Sequence, residues 1–402
     1  MKLPDGWIKT RLEKVATVQT GIAKNQMHIA ENLEVPYLRV ANVQDGFLDL
    51  SEIKMIRVKK DKIDRYKLQI GDVLLTEGGD FDKLGRGTVW PGGIENCVHQ
   101  NHVFVVRPDN KSITSDFLSA QTGSSYGKKY FLSCSKQSTN LASINSSQLK
   151  AFPTILPPFS EQKAIIEILS FWDETIEKNE KLIAVKERLF KGLLDKLIYW
   201  SNKIGGWKEI RTEEVFRERR ETNSGDLPLL SITGKEGVIP REATNRKDTS
   251  NSDKSKYLRI CPGDIGYNTM RMWQGVSALS NLEGIVSPAY TICIPNEKLY
   301  PPFAAYLFKT PFMIHRFYRY SQGLTSDTWN LKFRHFKEVS MPIPKINTQR
   351  QIAKTLKTAQ QEIDLLKQLN EKYKMQKRGL MQKLLTGEWR IKPEIVNKYK
   401  ES

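Results

Sequence analysis

The chain is short of cysteine, has no long apolar run, and lacks every glycine-rich phosphate loop; each shortage removes a class of protein. Its four cysteines, Cys97, Cys134, Cys261 and Cys293, are scattered through 402 residues. Spacings of 37, 127 and 32 residues match neither a disulfide framework nor a CxxC metal site, so all four are expected to be buried thiols. No segment approaches the roughly 18 uninterrupted apolar residues of a membrane helix, and Met1-Lys2-Leu3-Pro4-Asp5-Gly6-Trp7 holds no apolar signal core, so the expectation is a cytoplasmic protein without a membrane segment. Neither GxxxxGK[ST] nor GxGxxG occurs, which argues against nucleotide-driven work by this chain.

Other catalytic patterns fail on what they require. An amino-methyltransferase needs Asn, Asp or Ser before Pro-Pro-aromatic to hold the target amino group; here Leu156 and Tyr300 precede the two Pro-Pro-Phe runs. Asp45, Glu52 and Lys54 can be drawn as an Asp…Glu-x-Lys nuclease, whose paired carboxylates would hold Mg²⁺, but a chain this charged produces that pattern by chance. Cys97, His99 and His102 are close in sequence, yet the alternation through Phe104 is that of a half-buried strand rather than a zinc site. No catalytic residue, metal or cofactor is expected.

What is abundant is positive charge. Lys and Arg number 63 against 45 Asp and Glu, for a net charge of +18 and a pI near 9.5, a field that suits a polyanion such as double-stranded DNA. It is uneven: 21 basic against 16 acidic residues in 1–155, 7 against 8 in 156–202, 22 against 15 in 203–347, and 13 against 6 in 348–402.

The chain also repeats itself. Gly6-Trp7, Arg11, Glu13 and Val15 return 200 residues later as Gly206-Trp207, Arg211, Glu213 and Val215. Gly71-Asp72-Val73 returns at 192 as Gly263-Asp264-Ile265, and Leu156-Pro157, Gln162, Leu169, Gly192-Leu193 and Lys196-Leu197 return at 187 as Ile343-Pro344, Gln349, Leu356, Gly379-Leu380 and Lys383-Leu384. One unit of about 200 residues is written twice, with its length changes confined to the first three-quarters.

The last quarter of each unit reads as a helix, over about 161–198 and 348–385. Ser160 and Thr348 stand as N-caps, and Thr348-Gln349-Arg350-Gln351 fits a capping box. Leu169, Ile176, Ile183, Phe190 and Leu197 recur every seven residues, and Leu356, Ile363, Leu366, Leu380 and Leu384 continue the pattern in the second copy. This is an antiparallel coiled-coil seam, interrupted by Asn179 and Lys186 in one helix and by Asn370 and Lys377 in the other. About 38 residues make a rod of roughly 57 Å, and four residues inserted near Asp195 to Ser201 would lengthen it. The remainder reads as α+β, with strands over Val98 to Val106 and Tyr290 to Ile294. The division is a mixed α/β domain at 1–155, a helical spacer at 156–202, a second domain at 203–347, a second spacer at 348–390 and a basic tail at 391–402.

Two pairs of segments carry base-reading chemistry. Asn268, Arg271, Trp273 and Gln274 combine amides, a guanidinium and an indole after Gly263-Asp264-Ile265; arginine forks onto guanine, and Asn or Gln onto adenine. The first copy offers Lys83 and Arg86 in a Gly-rich loop. Before each helix stands a second polar segment, with Gln137 and Asn140 in one copy and Trp329 and Asn330 in the other. These ten residues are the candidate DNA contacts.

The Gly-Trp starts, the Gly-Asp-Val/Ile strands, the Leu/Ile-Pro entries followed by Gln162 or Gln349, and the closing Leu384-Leu385-Thr386-Gly387, in this order and twice, resemble the specificity (S) subunits of Type I restriction-modification systems. The resemblance covers essentially the whole chain. It implies two target recognition domains, each reading half of a bipartite site and related by a pseudo-two-fold, and two helices that space them and dock methyltransferase subunits. It also implies that S-adenosylmethionine, ATP and Mg²⁺ serve the partner modification and restriction subunits, with no cofactor on this chain. A stand-alone DNA-binding regulator and a catalytic nuclease or methyltransferase are the alternatives; assaying the chain with and without partners separates them.

Overall fold

The computed structural model describes residues 3–23, 32–79, 81, 84–137, 142–222, 224–234, 236–244, 253–325 and 328–400. The chain divides into two compact units, Met1–Glu180 with Leu369–Ser402, and Lys181–Gln368. Two long helices, Phe159–Leu194 and Ile346–Leu385, each contribute to both.

The repeat is visible as topology. In the first unit a four-stranded antiparallel sheet has the order Ala16–Thr20, Val103–Pro108, Val73–Thr76, Gly87–Val89; in the second the order is Phe216–Glu218, Tyr290–Pro295, Ile265–Asn268, Ser277–Leu279. A second sheet pairs Ile8–Arg11 with Pro153–Leu156, and Lys208–Arg211 with Ser340–Ile343, so each domain returns beside its own start just before its helix begins. The expected strand over Val98 to Val106 is two strands, Val98–His99 and Val103–Pro108, which belong to different sheets and are separated by a turn.

The repeated motifs are the locks of this frame. Gly71 and Gly263 have φ of +91° and +94°, a left-handed turn that glycine adopts without strain. Each is followed by a buried carboxylate. Asp72 accepts two bonds from Arg107 (2.7 and 2.8 Å) and one from Gln69 N; Asp264 accepts from Arg219 (2.8 and 3.2 Å) and from Cys261 N. Gln162 and Gln349 play the same part in each copy. The Oε1 of each accepts from Thr114 N or Tyr300 N, and the Nε2 donates to Ser112 O and Pro157 O or to Lys298 O and Pro344 O. One amide thus ties the long helix's entry to the segment before an earlier helix of the same unit, Ser115–Gly123 or Pro301–Leu307.

The first unit's core joins Trp7, Leu12, Phe104, Phe117 and Phe152 to Ile165, Leu169 and Leu384 of the helices. The second joins Phe216, Tyr267, Phe303, Phe308 and Phe336 to Leu194, Ile198 and Leu356. Within the first unit the helices run antiparallel: Asp173 pairs with Lys377, Trp172 meets the Tyr373 ring at 5.9 Å, and Asn179 Nδ2 donates to Asn370 Oδ1 at 3.1 Å. Within the second, Lys186 pairs with Glu362 at 2.6 Å. The four polar interruptions of the seam therefore find partners across it. Leu169, Leu356, Ile363 and Leu384 are buried, and Ile176, Ile183, Phe190, Leu197, Leu366 and Leu380 are half-buried.

The helix boundaries differ from the sequence reading. The helices begin at Phe159 and Ile346, so Ser160 and Thr348 lie inside the first turn and are not N-caps; prolines 158 and 344, which cannot donate a backbone hydrogen bond, stand just before. Residues Asp195–Trp200 continue the first helix as a π-helical turn with Ile198 buried. Residues inserted there would displace Leu194 and Ile198 from the second unit's core, so that point cannot simply lengthen a spacer. Residues 391–400 include a short helix, Pro393–Asn397, and place Ile391, Ile395, Val396 and Tyr399 against the first unit's core. All four cysteines are free, but only Cys97 and Cys293 are buried; Cys134 and Cys261 are half-exposed.

Candidate nucleic-acid interface

In both units the strand after the Gly-Asp pair leads into one candidate segment, whose first residue makes two equivalent backbone bonds, one to the turn before a neighbouring strand and one to the residues that follow the other candidate segment. Glu77 N donates to His102 O (2.9 Å) while Glu77 O accepts from Ile144 N (2.9 Å); Thr269 N donates to Ala289 O (3.1 Å) while Thr269 O accepts from Leu331 N (2.8 Å). The segments that the repeat placed equivalently in sequence are thus brought together twice by equivalent bonds.

In the second unit they form one surface. Asn268 ends its strand and its Oδ1 accepts from Met270 N (3.0 Å), closing the turn that presents Arg271 and Gln274 to solvent. Trp273 is half-buried and its Nε1 donates to Met270 O (2.9 Å). Its ring meets Trp329 edge-on at 5.1 Å, and Trp329 meets Tyr318 at 4.9 Å, the T-shaped geometry aromatic rings favour. Asn330 Nδ2 donates to Gln322 O and Thr328 O, so this amide shapes its own loop. Sequence reasoning missed Met270, 50% exposed, and Tyr318, 43% exposed. Tyr318 lies on the helix Pro311–Tyr320, whose apolar stripe reads as core.

The first unit's surface is of another kind. Gly78–Gly79 pairs with Ala142–Ser143, which pairs with Lys136–Gln137. A side chain at Gly78 would sit 2.4 Å from Ala142 O, so only glycine allows this approach. Arg86 is half-buried, its Nη2 donating to Val40 O at 3.3 Å, which directs it toward a distant segment of the same unit. Lys83 and Asn140 lie outside the described residues, as does the side chain of Gln137. The sequence reading did not single out Glu77 and His102, in contact at 2.5 Å with side chains 31% and 55% exposed.

The discarded catalytic patterns resolve into separate contacts. Asp45 pairs with Lys128 at 2.8 Å, while Glu52 pairs with Arg39 at 2.9 Å and Lys54 at 3.6 Å. His99 is buried with Nδ1 on Val103 O (2.7 Å), and burial pulls it down to about 4; burial pushes the Cys97 thiol up to about 12. Among the described residues, no group of three His, Cys, Asp or Glu stands together to hold a metal, and no helix is long and apolar enough to cross a membrane.

Comparison with known proteins agrees with this architecture. A family model described as the Type I restriction modification DNA specificity domain matches residues 4–187 and 201–374. The chain is 22% identical, over 98% of its length and 95% of the relative's, to the Type I restriction enzyme MjaVIII specificity subunit of Methanocaldococcus jannaschii. It is 26% identical to the EcoKI specificity subunit of Escherichia coli over 36% of this chain and 32% of that one. Among solved structures it is similar in fold to the HsdS subunit from Thermoanaerobacter tengcongensis, with TM-score 0.53, 16% identity, and coverage of 97% of this chain and 99% of that one. A chain of a type I R-M system gives TM-score 0.61 at 14% identity, with 97% and 100% covered.

Proposed function

The chain belongs to the Type I restriction-modification DNA specificity family, and from that membership we propose that each of its two units reads one half of a bipartite DNA site through the paired segments described above. The observation that carries this is the duplicated docking of those segments by Glu77 and Thr269, which turns two distant stretches of sequence into one edge in each unit. The net charge of +18 supplies the sequence-independent attraction to phosphate, while exposed Arg271 and Gln274 supply groups that distinguish bases.

Catalysis falls to partners: modification subunits that bind S-adenosylmethionine, and restriction subunits that use ATP and Mg²⁺, working in the cytoplasm. The helices carry exposed apolar side chains, among them Phe171, Val185, Leu189, Leu365 and Met375, which suit docking of a methyltransferase subunit. The test is an assay of the purified chain with DNA, methyl donor and Mg²⁺. The chain alone is expected to bind DNA without methylating or cutting it, and to direct methylation at one bipartite motif once a methyltransferase partner is added. Turnover by the chain alone would overturn the assignment.

A further inference from the structure

Lys309 follows the helix Pro301–Leu307. Its Nζ donates to three backbone carbonyls, Ser277 O at 2.7 Å, Gly275 O at 2.8 Å and Gly234 O at 3.3 Å. An ammonium has three donors, so all three are spent on main chain, and among the described residues no carboxylate pairs with it. Burial pulls Lys309 down to about 8, a sign of what desolvating this charge costs. An apolar side chain would fill the space without that cost. What the lysine adds is a tie between segments far apart in sequence.

Two of the three carbonyls belong to the turn that carries Arg271, Trp273 and Gln274 or to the strand that leaves it. Gly275 ends the 3₁₀ turn Met272–Gln274 at φ +75°, and Ser277 opens the strand Ser277–Leu279. The third, Gly234, follows the strand Leu230–Thr233 of a neighbouring hairpin. A Cβ on Gly275 would come within 2.8 Å of Ile314, so the turn is packed against a helix and also stapled by Lys309.

This staple is absent from the common frame. Thr114 N and Tyr300 N donate to the equivalent glutamines, and Ser124 and Thr310 stand before the next helix in each copy; the position matching Lys309 is Gly123, around which there is open space. A lysine found in one unit only, tied to that unit's candidate reading turn, belongs to what distinguishes the two half-sites. Resting on the reading above, we propose that Lys309 is a positioning residue for the second unit, holding the turn 269–276 in its base-reading geometry without itself touching DNA.

The experiment uses the full chain assembled with its methyltransferase partner and a set of duplexes in which each specified base pair is changed in turn. Lys309→Met and Arg271→Ala are each expected to relax discrimination roughly five- to a hundredfold in the same half-site, with the other half unchanged; Lys309→Arg, which keeps donors, is expected to recover part of the loss. Amide exchange at Gly275 and Val276 should quicken in Lys309→Met. If that variant does not fold, Lys309→Gln, with two donors, carries the comparison and should show a smaller loss.

Relaxation by Arg271→Ala with none in the lysine variants would overturn the positioning role. Weakening of all duplexes alike, with a shallower salt dependence, would make Lys309 a phosphate contact and overturn it too. Silence of Arg271→Ala and Gln274→Ala would show that the turn does not read bases; unchanged amide exchange in the lysine variants would separately show that Lys309 does not order it.

Discussion

The two units share a frame and differ in how it is fastened. Both keep the Gly-Asp turn, the glutamine at the helix entry and the same order of sheet strands. Yet Arg107, which locks Asp72, comes from the strand Val103–Pro108, whereas Arg219, which locks Asp264, follows Phe216–Glu218, the equivalent of that strand's neighbour. The carboxylate is the fixed point, and either of two neighbouring strands of the sheet can bring the cation to it.

The larger difference lies where each domain begins. In the second unit the chain runs without a break from the first helix through Asp195–Trp200 and Ser201–Gly205 to Trp207. In the first unit side chains tie the opening segment to the helix. Buried Glu161 accepts from Trp7 Nε1 (3.1 Å) and from Arg390 (2.8 and 3.2 Å), and Arg390 also donates to Asp5 O. The second copy has Thr348 where the first has Glu161.

The largest effect expected from this comparison is loss of a shared lock. Asp264→Ala leaves Arg219, whose side chain is 13% exposed, with Glu221 as its remaining carboxylate and leaves Cys261 N without its acceptor, and should cost about 3 kcal/mol. Hydrogen exchange should show the loss in residues 208–343 while 8–156 keep their protection, with Asp72→Ala giving the reverse. A smaller effect is expected at the unshared fastening. Glu161→Gln should destabilise the first unit by about 1–3 kcal/mol, and Thr348→Ala should change the second by no more than about 0.5 kcal/mol; equal effects in denaturant titration would erase the distinction.

The smallest effect near neutral pH is a difference in acid sensitivity. His99 is buried neutral in the first unit with Nε2 unpartnered, and its folded pKa of about 4 lies below the ordinary 6.5. Between these values the unfolded chain binds a proton that the folded unit refuses. Stability is therefore full above about pH 6.5 and falls as pH drops toward 4, by about 1 kcal/mol at pH 6. In the second unit His315 is exposed and His335 half-buried. His99→Gln should flatten the acid limb of the first unit alone, and an unchanged slope would place the sensitivity elsewhere.

The internal repeat made the frame legible from sequence. Gln162, Gln349, Asp72 and Asp264 were visible as repeated letters, and the structure gives each repeated letter the same bonds. The polar seam residues were legible because asparagine at a seam position needs a partner, and Asn179 finds Asn370. The Arg107 and Arg219 locks were hidden because the arginine changes strand between copies, so no offset aligns them. Glu161 and Arg390 were hidden for the opposite reason, since a contact found in one copy leaves no echo. Tyr318 and Trp329 meet only through tertiary packing, and Arg86, which reads as a free basic group, turns to the Val40 carbonyl of a segment 46 residues earlier.

The central claim is that the units read independently, and motif mapping of a domain exchange tests it most directly. Residues 208–343, from the first strand of the second domain to its return beside that strand, are replaced by the matching segment of a family member with a different target. The methylated motif of the assembled complex is then determined by sequencing. The account predicts that one half of the bipartite motif is exchanged and the other half is retained; a motif altered in both halves, or in neither, would contradict it.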